Sequence, residues 1–118
     1  MLKNKRKRVA ALLVGCMVLG SSMSVFAGFD CGVLKSGIAY DLKVAIREAT
    51  ANTWSDSAVT KVTGYRYPSS GNPSQVINMG TKSGGASVSI TPPAGWVMYK
   101  AESYHSSGGY YANLIVFE

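Results

Sequence analysis

The side chains able to do covalent chemistry are few. One histidine, His105, stands in Tyr104-His105-Ser106-Ser107-Gly108, among serines that could act as nucleophiles. A Ser-His-Asp arrangement needs a carboxylate behind the imidazole, and the chain order of the three is free. Yet Asp30, Asp41, Glu48, Asp56, Glu102 and Glu118 are scattered, with no close pair of the kind that acid–base or glycoside chemistry uses. With serine and glycine around it, His105 reads as a solvated loop tip, and a small secreted hydrolase is the last of the alternatives. Zinc needs three or four ligands, which one histidine with Cys31 does not supply. Gly80, Gly84 and Gly85 are not followed by Gly-Lys-Ser/Thr, so no phosphate loop is expected. The residues point to no catalytic centre, no metal and no cofactor.

What the chain has in surplus is aromatic rings. In a strand over residues 95–102, Lys100 and Glu102 mark a solvent face, and period-two alternation puts Trp96, Met98 and Tyr104 on that face with them. Together with Trp54 and Tyr111 these form the candidate binding set, since exposed rings in an exported domain are a common means of holding sugars, wall polymers or proteins. The alternative is that a bulge or a second sheet covers them.

The start of the chain reads as a targeting segment. Lys3, Lys5, Arg6, Lys7 and Arg8 precede an apolar run over residues 9–19, shorter than the roughly 20 residues a membrane-spanning helix needs. Small residues follow, with Val25 and Ala27 where a signal peptidase inspects the chain. Cleavage between Ala27 and Gly28 is expected, giving a leader over 1–27, one domain over 28–118 and an extracellular destination without a transmembrane segment. In the alternative, Leu13-Val14-Gly15-Cys16 acts as a lipoprotein signal and Cys16 carries a lipid anchor.

Five of the 12 basic residues lie in that leader, so the rest nearly balance the 6 acidic ones. The alkaline isoelectric point is therefore a targeting signature, and no basic stripe remains for nucleic acid. Downstream of residue 27 the one cysteine is Cys31, which reads as a leftover thiol, buried or free in preference to an intermolecular bridge.

Residues 37–50 alternate apolar and polar positions, predicting one long strand; a helix over 37–50, giving an α+β fold, is the alternative. A turn is expected at 51–57, then strands at 58–67, 74–79 and 86–91, with Gly80-Thr81-Lys82-Ser83-Gly84-Gly85 as a turn. The arms 95–102 and 110–117 form a closing hairpin across Ser106-Ser107-Gly108-Gly109. The second arm is apolar nearly all round and reads as a central strand. About six short strands punctuated by Gly, Ser and Pro predict a small antiparallel β-sandwich.

The basic leader, the domain of under a hundred residues, Ala94-Gly95-Trp96-Val97-Met98-Tyr99-Lys100-Ala101 and the Tyr110-Tyr111 strand together resemble the small unmodified bacteriocins of the lactococcin nine-seventy-two class. That resemblance implies an exported two-sheet β-sandwich that inhibits related bacteria at the cell envelope. The expectation is a secreted, non-enzymatic bacterial protein that binds an envelope component or another protein.

Overall fold

The period-two segments are realised as strands. In the computed structural model, which describes residues 26–71 and 73–118, the chain forms eight strands in two antiparallel four-stranded sheets. They are β1 (Phe26–Val33), β2 (Ala39–Ala45), β3 (Glu48–Thr53), β4 (Val59–Pro68), β5 (Ile77–Gly84), β6 (Ser87–Ile90), β7 (Trp96–Ser107) and β8 (Tyr110–Phe117). One sheet has the order β1-β2-β3-β6 and the other β5-β4-β7-β8. The protein is a small β-sandwich.

The core lies between the sheets. Leu42 and Val44 of β2, Ala49 and Ala51 of β3 and Ile90 of β6 meet Val62 of β4, Met98 and Ala101 of β7, and Leu114 and Val116 of β8. Each fully buried large aliphatic side chain contributes about 1.5–3 kcal/mol of transfer free energy. Alanines at 49, 51 and 101 let the sheets approach where the larger side chains oppose them.

Several expectations need correction. Residues 37–50 are neither one strand nor a helix but a hairpin, β2 and β3, reversing at Ile46-Arg47 with Ala45 opposite Glu48. Strand β3 runs on to Thr53, so the following turn starts at Trp54. A short 3-10 turn at Pro73–Gln75 replaces the start of the expected strand at 74, and β5 runs through Gly80 to Gly84. Strand β1 was not anticipated. Strand β8 is an edge strand, not a central one, because it pairs with β7 alone. Its inner row, Leu114 and Val116, faces the core while its outer row stays exposed.

The turns differ in kind. Gly108 and Gly109 have φ of 61° and 81°, as a two-residue type I′ reversal between β7 and β8 requires. At Ile46-Arg47 no positive φ occurs, and a turn of that sort splays its strands unless held. Here Arg47 holds it, donating to the carbonyls of Pro92 at 3.2 Å, Pro93 at 3.4 Å and Trp96, while Met98 N–H donates to Ile46 O at 2.9 Å.

Cys31 is disulfide-bonded, which corrects the buried or free thiol. The described residues hold no second cysteine. Cys16, the alternative lipidation site, lies outside them. Ala27 and Gly28, the expected cleavage pair, lie in β1.

Candidate binding face

Why the expected aromatic set does not assemble follows from one residue. Opposite β4, Tyr65 pairs with Lys100 and Arg66 with Met98, which leaves Tyr99 as an extra residue in β7. Such a bulge reverses the parity of everything on one side of it. Beyond Tyr99, Lys100, Glu102 and Tyr104 do face outward, but Met98 is turned into the core and is fully buried. Met98 is thus not part of a binding surface. Trp96 is half-buried at that end of the sandwich, its ring 4.6 Å from the Arg66 guanidinium. Trp54, 55 % exposed, is at the opposite end, where its backbone N–H donates to Ala39 O and its indole N–H to Asp41 Oδ2 at 3.3 Å. Asn52 also donates to Asp41, at 2.9 Å, while burial raises the Asp41 carboxyl above the usual carboxylate range.

Tyr104 and Tyr111 do come together. Their rings stack at 5.9 Å with an interplanar angle of 23°, and Lys61 Nζ lies 5.5 Å from the Tyr104 centroid. The register extends this pair into a face. Lys61 of β4 is opposite Tyr104, Thr63 opposite Glu102 and Tyr65 opposite Lys100; across β8, Glu102 meets Ile115 and Lys100 meets Phe117. Tyr111 is 68 % exposed, Ile115 57 % and Phe117 54 %. Lys100 Nζ sits between the rings of Tyr65 at 4.6 Å and Phe117 at 5.7 Å, and makes an ion pair with Glu102 at 3.8 Å. Tyr65 donates its hydroxyl to Glu102 at 3.1 Å, and that bond raises the phenol's pKa above its ordinary value. Exposed pairs of this sort contribute little to stability, about 0–1 kcal/mol each. Their effect is to hold the rings upright on the sheet.

Tyr65, Ile115 and Phe117 were missed by sequence reasoning. The parity of Lys100 and Glu102 marks the solvent face of β7, but only the register shows that Tyr65, Ile115 and Phe117 lie beside it, and an apolar β8 reads as central. Around the corner from Tyr111, a cleft of about 300 Å³ opens between the end of β1 and the start of β8, lined by Val33, Leu34, Lys35, Gly109, Tyr110, Tyr111 and Ala112.

His105 is not a loop tip. Strand β7 extends to Ser107, and the imidazole points inward with no exposure. Its Nδ1 lies 2.9 Å from Thr53 Oγ1 and its Nε2 2.7 Å from Ser103 Oγ, and the Tyr40 ring packs 4.8 Å away. Thr53 reaches Thr60 at 2.8 Å, and Thr60 donates to Gly85 O at 2.6 Å. Burial pushes the imidazole down to about 4, with a hydrogen bond to the Asn52 backbone acting in the other direction. Among the described residues, no three His, Cys, Asp or Glu side chains cluster as a metal site, and no helix is long and apolar enough to cross a membrane.

Comparisons with protein-family models, curated proteins and solved structures find no match to this chain.

Proposed function

We propose that this is an exported, non-enzymatic bacterial binding domain that holds a cell-envelope or extracellular target on the outer face of the β5-β4-β7-β8 sheet, as a bacteriocin-like inhibitor would. The observation that carries the reading is the row of outward-facing rings, the half-buried Tyr65 and Tyr104 with the exposed Tyr111 and Phe117, interleaved with Lys61, Lys100 and Glu102 on one sheet. Apolar surface rimmed by polar groups is the pattern of an interaction site. Support for export comes from the basic block and apolar run of the leader. The resemblance to envelope-directed bacteriocins points the same way.

The Ser103–His105 pair is the one feature of hydrolase type. Both residues are buried, and an imidazole held down to about 4 is a weak base at neutral pH.

The test is binding of the purified protein to intact bacterial cells and isolated walls. Tyr111→Ala and Phe117→Ala are expected to weaken binding at least tenfold, about 1.4 kcal/mol or more, with melting temperatures near that of the parent because both rings are exposed. Trp54→Ala is expected to bind normally. Loss of binding in Trp54→Ala with none in Tyr111→Ala and Phe117→Ala would place the target elsewhere.

A further inference from the structure

At the end of the sandwich where β7 begins, Arg66 stands in β4 opposite Met98 and Ile77. Its guanidinium lies over the Trp96 ring at 4.6 Å. Stacking of this kind covers a flat face of the guanidinium but leaves its N–H edge, the fork that fits planar and tetrahedral oxyanions, to find acceptors. They are missing. Arg66 Nε is buried with no hydrogen-bond partner, and the ion pair found among the described residues, Lys100–Glu102, does not include Arg66. A buried guanidinium donor without an acceptor marks a place where an ion or ligand completes the structure.

A second cation is fixed beside it. Arg47 donates to the carbonyls of Pro92, Pro93 and Trp96, all neutral acceptors, so its charge is uncompensated by them. Trp96 is therefore gripped by two guanidiniums, one on its ring and one on its carbonyl, with no carboxylate paired to either among the described residues. We propose that this end of the sandwich binds an oxyanion, the carboxylate or phosphate group of a ligand, in the fork of Arg66 against Trp96. The site is separate from the outer aromatic face and does not depend on it. Arginine suits it because the fork offers two parallel charge-assisted hydrogen bonds, which a lysine ammonium on a flexible stem cannot reproduce.

The experiment titrates the full chain with sodium phosphate, sodium acetate and sodium chloride at matched ionic strength. The readout is tryptophan fluorescence in a Trp54→Phe background, so that Trp96 alone reports, together with amide shifts by NMR. A saturable change with phosphate or acetate but not chloride supports the proposal, and which of the two saturates at lower concentration assigns the ligand class. Arg66→Lys, which keeps the charge and loses the fork, is expected to weaken saturation at least tenfold, and Arg66→Gln to abolish it. If Arg66→Gln fails to give a cooperative melt, Arg66→Lys and the unaltered chain decide. The proposal is overturned if neither anion saturates, if chloride gives the same response, or if Arg66→Lys titrates like the parent.

Discussion

The hydrogen-bond chain through His105 has only one consistent direction. Gly85 O can only accept, so the single hydroxyl proton of Thr60 is committed to it. Thr53 must then donate to Thr60, which leaves the Thr53 oxygen to accept from His105 Nδ1–H. The neutral ring therefore carries its proton on Nδ1 and receives one from Ser103 at Nε2. Because burial lowers its pKa to about 4 from the ordinary 6.5, the unfolded chain binds a proton between those values that the folded one refuses. The stability contributed by this group is complete above about pH 6.5 and is lost as pH falls through that window, about 3 kcal/mol in all. Asp41, whose folded carboxyl is raised by burial, acts in the opposite sense at the acid end, so the parent is best compared with His105→Gln. Urea midpoints at pH 7.5 and 4.5 should fall steeply for the parent and much less for His105→Gln, which hydrogen-bonds but does not titrate. Equal pH slopes, or a 15N spectrum showing the proton on Nε2, would contradict this assignment.

Elements were legible in the sequence wherever local pattern decided them, and illegible where a distant contact did. The alternation in β6 and around Lys100 and Glu102 of β7 was plain, β4 and β8 were legible as strands from their β-branched and aromatic residues, and Gly108-Gly109 marked the closing reversal, although β7 runs on to Ser107. The Ile46-Arg47 reversal carries no glycine, asparagine or proline, and alternation runs straight across it. It is a turn because Arg47 ties it to a segment some 45 residues away. Arg47→Ala should accordingly cost about 1–2 kcal/mol in chemical denaturation, whereas Ile46→Ala, on the exposed tip, should cost under about 0.5 kcal/mol. The reverse order would mean that the tip packs and the tether is idle. Tyr99 escaped notice for a related reason. A bulge residue looks like any strand residue, and its ring is accommodated between Tyr67 at 6.1 Å and Phe117 at 5.6 Å. Only the pairing partners reveal that Met98 and Lys100 face opposite ways. The outward half of the candidate site, Tyr104 with Lys100 and Glu102, was thus readable from parity, and the half across the bulge was not.

For the molecule as a whole, composition was enough for the class of fold but not for its seams. Along one side the chain passes from β5 in one sheet to β6 in the other through Gly84-Gly85-Ala86, so that margin is closed covalently. Along the other side β1 and β8 lie next to each other without a connection. They approach so closely at Gly28 that a Cβ there would run into the carbonyl oxygen of Phe117 and the side chain of Val116. The two segments farthest apart in the described sequence are therefore neighbours in space, separated by less than the span of a few residues. Chain order and spatial order can then be uncoupled, because domains whose ends adjoin tolerate circular permutation at exposed loop tips. A protein begun at Gly109, continued through Glu118 and joined by a short glycine linker to Gly28 should fold to the same sandwich. Its melting temperature should lie within a few degrees of a linear chain begun at Gly28, and a non-cooperative melt would show that the β7–β8 turn must form first. Of the places where this sandwich reverses or closes, the one at Gly108–Gly109 can be cut and the one at Gly28 sewn, so the order in which the strands are threaded is a choice that the packed core does not enforce.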